Sequence, residues 1–120
     1  MRSLRWLTVA LLLLATLPVP AAAAENTAVK PLLIDVRTAA EWQSEHLEGA
    51  ILIPYERIGA EIARVAPDKK TKINLYCRTG RRSGIAQETL QKLGYEDVTN
   101  DGSVKDAAEK LTIPVIRSVK

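Results

Sequence analysis

The sequence predicts an α/β domain: a central, mainly parallel sheet with helices on both faces. Three observations carry this prediction. Short strand-like runs, "PLLIDV" (31–36), "AILI" (50–53), "INLYC" (73–77) and "DVTN" (97–100), recur along the chain. Between them, apolar residues repeat with helical spacing. Gly49, Pro54, Pro67 and Gly94 fall at the changes from one pattern to the other. Strands alternating with helices over this length imply parallel pairing through crossover connections, in a sheet of about five strands.

Each element has its own local reason. After the polar lead-in Glu25–Lys30, the compact run 31–36 suits a strand buried on both faces. Thr38 and Glu41 have the spacing of a capping box, so a short helix is expected through Glu45, ending before Gly49. "AILI" is the next strand, closed by Pro54. Ile58, Ile62 and Val65 then form one helical stripe, ended by Pro67 and the polar "DKKTK". "INLYC" is the third strand and runs straight into "RTGRRSG". From Ser83 onward, Ala86, Leu90 and Leu93 again share a helix face. Gly94 is placed to end that helix, with Tyr95 making the accompanying apolar contact. "DVTN" is a short strand, "DGS" a turn and "VKDAAEK" a weak helix. The run "TIPVIRSV" has no settled assignment.

Residues 1–24 read as a secretory signal: Arg2 and Arg5 precede an apolar core from Trp6 to Leu17, broken by Pro18 and Pro20 before Ala21–Ala24. The core is too short for a spanning helix. Cleavage after Ala24 would leave residues 25–120 as one domain, with its core at about 32–108, in the periplasm. The signal holds two of the 17 basic residues, so the remainder nearly balances the 14 acidic ones. That near-neutrality excludes broad attraction to nucleic acid or membrane.

Cys77 is the only cysteine. An exported protein normally pairs its cysteines, and one alone is either an inert core thiol or a reactive one. Cys77 ends a strand, and in open parallel sheets ligands bind beyond the strands' carboxyl ends. Asp35 and Arg37 end the first strand and are expected at the same mouth, in support of the site or simply as an ion pair. The loop Arg78–Arg82 contains Gly80, free to adopt angles that turn successive N–H groups inward as an anion nest. Ser83 is the expected N-cap of the following helix, whose positive end faces Cys77. All of this favours thiolate over thiol. Arg78, Arg81 and Arg82 offer forked donors suited to an oxyanion, with Arg82 the first candidate to point inward. Arg78, Thr79, Gly80, Arg81, Arg82 and Ser83 are therefore the expected substrate-binding set around Cys77. His46 has no evident co-ligands, so no metal is expected, and it is read as a hydrogen-bonded structural residue. Trp42 and Tyr55 are read as packing residues.

"LLIDVRTAAEW" (32–42), "EHLEGAILIP" (45–54) and "YCRTGRRSG" (76–84), in that order and spacing, resemble the single-domain rhodaneses, the thiosulfate sulfurtransferases, and among them the small exported phage-shock type. The resemblance covers about Leu32 to Ala108. It implies a ping-pong sulfurtransferase without a cofactor: Cys77 takes the outer sulfur of thiosulfate, carries it as a persulfide and passes it to cyanide or another thiophilic acceptor. The family often has two glycines before its last helix, where this chain has Gly102-Ser103. A cysteine phosphatase would need its arginine at the position of Ser83, and Arg82 comes one residue early. A rhodanese-like module that only binds a partner would generally lack the cysteine. A sulfur carrier serving a protein partner stays open beside the small-molecule enzyme.

Overall fold

The computed structural model describes residues 30–118; the expected signal, residues 1–24, lies outside them. In chain order the elements are β1 (Leu32–Asp35), α1 (Ala39–Ser44), β2 (Glu45–Leu47), β3 (Ile51–Leu52), α2 (Ile58–Val65), β4 (Lys72–Cys77), α3 (Arg81–Lys92), β5 (Asp97–Ser103), α4 (Val104–Leu111) and β6 (Val115–Arg117). The expected parallel sheet is present with four strands, ordered β3-β1-β4-β5. A separate antiparallel ribbon joins β2 to β6.

Side-chain alternation along β4 divides the core. Ile73, Leu75 and Cys77 face one layer, with Ile34 and Val36 of the β1 segment, Ile58 and Ile62 of α2, and Ala86 and Leu90 of α3. Tyr76 faces the other, with Leu33, Leu47, and Val104 and Ala107 of α4. Helices therefore cover both faces. Fully burying residues such as Ile58 and Ile62 contributes about 1.5–3 kcal/mol each. Leu93, expected on the same stripe as Ala86 and Leu90, is instead 43% exposed, because the helix ends at that turn. The ending itself is as expected: Gly94 takes φ +98°, Gly94 N–H donates to Gln91 O, and Tyr95 N–H donates to Leu90 O. Tyr95 then turns into the core, and its hydroxyl donates to Ala66 O.

Three assignments differ from the sequence reading. The first helix, capped by Thr38 and Glu41 as expected, stops at Ser44, and Glu45–Leu47 becomes a strand. Its partner is the tail, with Glu45 opposite Arg117 and Leu47 opposite Val115. The third difference lies at "DGS", which continues β5 and does not form a separate turn. Leu75 pairs with Asn100 but Cys77 with Ser103, so β5 carries one extra residue there, a bulge. Gly102 accommodates it at φ +85°. Asp101 is held inward, accepting from Asn74 Nδ2 at 2.6 Å and standing 2.9 Å from Lys110 Nζ.

Candidate functional site

The site forms at the carboxyl ends of β1, β4 and β5. Asp35 lies opposite Tyr76 in register, so Asp35, Arg37 and Cys77 do share one mouth. β4 delivers Cys77, and the chain enters α3 within three further residues. Gly80 makes this possible. At φ +96° it is itself the N-cap of α3, the place expected for Ser83. The loop is thus shorter than the sequence suggested, and Ser83 lies in the first helical turn, fully buried.

That placement surrounds the sulfur with donors. Gly80 N–H donates to Cys77 Sγ at 2.9 Å, and Ser83 Oγ stands 3.4 Å away. Burial pushes the Cys77 thiol up. The Ser83 hydroxyl and the N–H groups of Ser83, Thr79 and Gly80 outweigh it, and the net direction is below the ordinary thiol value. The side chain is fully covered: its carbon side packs into the core while its sulfur faces the loop amides. The Ser83 hydroxyl has a single proton and two acceptors. Asn100 Oδ1, at 2.6 Å, competes with the sulfur for it, so the hydroxyl and the main-chain amides hold the thiolate together.

Asn100 is a site residue that the sequence reading missed. Its Oδ1 also accepts from Gly102 N–H at 3.0 Å, and its Nδ2 donates to Gly80 O at 2.9 Å. One side chain thereby ties the cysteine loop, the first turn of α3 and the β5 bulge together. The available signal was its position, a polar residue ending a strand beside the cysteine strand.

The arginines separate. Arg82 makes a two-pronged ion pair with Glu41, at 2.8 and 2.9 Å. It ties the loop to the first turn of α1 and does not stand free in the nest. The Arg82 hydrogen bond is the main cause holding the Glu41 carboxyl down at about 2; burial opposes it, and Thr38 assists. Arg78 and Arg81 are exposed. Arg81 N–H lies 3.4 Å from Thr79 Oγ1. Asp35 and Arg37 form a buried pair, with contacts of 2.7 to 3.1 Å. Arg37 also donates to Glu45 O at 2.6 Å, which fixes the start of β2. Its guanidinium lies 5.7 Å from the Tyr76 ring centre, and the Tyr76 hydroxyl accepts from Leu47 N–H at 3.0 Å. This pair braces the mouth from beneath. His46 stacks on Trp42 with ring centres 3.7 Å apart, its Nδ1 2.9 Å from Trp42 O. It is a packing residue on β2, as expected. Beside the loop opens a cleft of about 460 Å³, bordered by Arg37, Glu41, Arg78, Ser103 and Lys105. Among the described residues no group of His, Cys, Asp and Glu could hold a metal, and no helix is long and apolar enough to cross a membrane.

The serine that replaces a second glycine at 103 has a structural role. Its hydroxyl accepts from Asp106 N–H at 3.0 Å, and Ser103 N–H donates to Asp106 Oδ2 at 3.2 Å. This capping box starts α4 beside the site.

Comparison with known proteins gives the family and the fold. The family model for the rhodanese-like domain matches residues 20–108. The thiosulfate sulfurtransferase PspE of Escherichia coli K12 is 45% identical over 75 residues, 62% of this chain and 72% of that protein. The thiosulfate:glutathione sulfurtransferase of Saccharomyces cerevisiae is 28% identical over 87 residues, 62% of this chain and 63% of that protein. Among solved structures, a rhodanese with anions from E. coli superposes with a TM-score of 0.68 at 39% identity, over 74% of this chain and 100% of that one.

Proposed function

This chain belongs to the rhodanese-like domain family, and from that premise we propose that it is a thiosulfate sulfurtransferase working through a persulfide on Cys77. One observation carries the proposal: the 2.9 Å bond from Gly80 N–H to Cys77 Sγ, in a loop turned inward by a left-handed glycine. Held as thiolate, Cys77 attacks the outer sulfur of thiosulfate. A new sulfur–sulfur bond forms, the one in thiosulfate breaks, and its electron pair leaves on sulfite. The transferred sulfur keeps the negative charge, within reach of the amides that stabilised the thiolate. Cyanide or another thiophile then takes that sulfur as thiocyanate or its equivalent, and the electron pair returns to Cys77.

Each loop residue has a part in this reading. Thr79, Gly80 and Ser83 supply N–H groups. Arg78 and Arg81, exposed at the rim, meet the sulfonate oxygens, while Arg82 serves through its tie to Glu41. Asp35 and Arg37 hold the strand ends in place. No cofactor enters either half of the reaction. Export to the periplasm with removal of residues 1–24 belongs to the same reading, on the strength of the amino-terminal pattern.

The test is intact-mass measurement after brief exposure to thiosulfate. The expected result is a gain of one sulfur atom, lost on addition of cyanide and absent in Cys77→Ser. An unchanged mass with no sulfite released would overturn the proposal.

A further inference from the structure

We propose that Asp101, through Asn74 and Lys110, is a positioning residue for the sulfur site: it fixes the β5 bulge in register so that Gly80 N–H stays aimed at Cys77 Sγ. The inference rests on Cys77 as the reacting atom of the reading above. It adds residues on the opposite face of the sheet that set the reactivity of that atom.

The bulge is held from both faces. Consecutive strand residues point to opposite sides of a sheet. Asn100 faces α3, where it accepts from Ser83 Oγ and donates to Gly80 O. Asp101 faces α4, where its fully covered carboxylate accepts from Asn74 Nδ2 at 2.6 Å. Asn74 lies on the same strand as Cys77 but on its other face. Lys110, in the last turn of α4, stands 2.9 Å from Asp101 Oδ1, while Ser103 caps the first turn of that helix. Both ends of α4 are therefore fastened to β5 at the bulge.

Energetics point to placement and not to stability as the purpose. Asn74 Oδ1 is buried without a hydrogen-bond partner among the described residues, and Lys110 meets Asp101 Oδ1 at ion-pair distance without the alignment of a hydrogen bond. A half-satisfied polar pair is less stable than more of the apolar side chains that fill this layer, such as Leu33, Val104 and Ala107. What the pair supplies is register. Apolar side chains would let β5 slide, and a slip of one residue turns every side chain to the other face. Asn100 would then leave Ser83 and Gly80.

A continuous path leads from this network to the sulfur. Gly102 follows Asp101 and takes φ +85° in the bulge. Its Cα lies so close to Gly80 that a Cβ there would stand 3.4 Å from it. Gly80 N–H in turn donates to Cys77 Sγ at 2.9 Å. A shift of the bulge thus moves the amide that holds the anion, although neither Asp101 nor Lys110 bonds to the loop.

The test compares Lys110→Met, which keeps the stem and removes the ammonium, with Asp101→Asn, which keeps the shape and removes the charge. Cys77 reactivity is read as the iodoacetamide alkylation rate across a pH series, beside kcat and KM for thiosulfate. Both variants are expected to raise the alkylation midpoint and to slow alkylation at neutral pH by about threefold or more, a part of the roughly tenfold that losing a bond to a charged group brings. Lys110→Arg should restore the parent midpoint. A through-space charge effect would move the two variants in opposite directions, since one loses a cation and the other an anion; that result, or unmoved midpoints in both, would overturn the proposal. Ile62→Val, a core change beneath α2, lowers Tm without touching the network and should keep the parent midpoint. If it shifts the midpoint as far as Lys110→Met does for the same loss of Tm, general loosening explains the effect and the proposal fails. Lys110 is 54% exposed, so its variants should fold, and Asn74→Ala, which changes no charge, replaces Asp101→Asn if that variant does not. Absence of sulfite release in the parent would sink the sulfurtransferase reading, while the alkylation midpoints decide the positioning role by themselves.

Discussion

Replacing Gly80 by alanine probes the cradle at its centre. Gly80 holds φ +96°, and a left-handed backbone costs an L-residue about 1–2 kcal/mol. The added Cβ would stand 3.4 Å from Gly102 Cα, an ordinary contact, so backbone strain and not collision sets the cost. For a domain of this size, each kcal/mol lowers Tm by about 4–8 °C. Gly80→Ala should therefore melt roughly 5–15 °C lower yet still fold. The effect at sulfur is more telling. If the strain relaxes by rotating the peptide, the N–H now 2.9 Å from Sγ leaves it. A hydrogen bond to a charged group is worth about 1.5–3 kcal/mol, so the thiolate population at neutral pH should drop by about tenfold or more. The sign follows from the cause: amides hold the Cys77 thiol down, and removing one moves its midpoint up. Its stabilising contribution is present above the unfolded thiol's pKa and is lost as pH falls through the lower folded value. Iodoacetamide alkylation rates across a pH series, with thermal melts, measure both effects. A lower Tm with an unmoved alkylation midpoint would refute the claim that main-chain amides hold the anion.

Two further predictions concern the surroundings of the loop. Asn100→Ala removes three hydrogen bonds, each worth about 1 kcal/mol. Because Asn100 is half-buried, water recovers part, and urea denaturation should show a loss of about 2 kcal/mol together with slower sulfite release; unchanged stability would contradict its role as the tie between loop and bulge. A double-mutant cycle on Glu41→Gln and Arg82→Ala should give a coupling of about 1–2 kcal/mol, between the values for exposed and buried pairs. Since Glu41 is held down at about 2 from an ordinary 4.5, that stabilisation is present above pH 4.5 and lost as pH falls toward 2. Glu41→Gln should flatten this acid limb. Both variants should also raise KM for thiosulfate. A lower KM in Glu41→Gln would mean that Arg82, once released, grips the substrate itself.

Much of this could be read locally. The short run "INLYC" reads as a strand and puts its cysteine at the working end of a parallel sheet. The Thr38–Glu41 spacing caps a helix, and Gly94-Tyr95 ends another. Each of these signals acts within one or two turns of chain, so neighbouring residues suffice to reveal it. The conformation of Gly80 was likewise legible as an inward-turning loop, although its use as the helix cap moved Ser83 from cap to sulfur contact. The features that remained hidden join distant parts of the chain. Glu45–Leu47 is a strand only because Val115–Arg117 returns to pair with it. Asn100 reaches Gly80 across 20 residues, and Arg82 reaches Glu41 across 41.

The sequence by itself determined the alternation of strands and helices, the capping box of the first helix, the glycine that ends the third, and the place of the lone cysteine between a strand end and a helix start. Tertiary structure alone decided which arginine is tethered, which asparagine anchors the loop, and which carboxylate is buried at the bulge beside it. Periodicity and capping are short-range and leave their pattern in adjacent residues. Ion pairing and buried hydrogen bonds depend on which groups meet in space, and packing of the sheet layers brings those groups together.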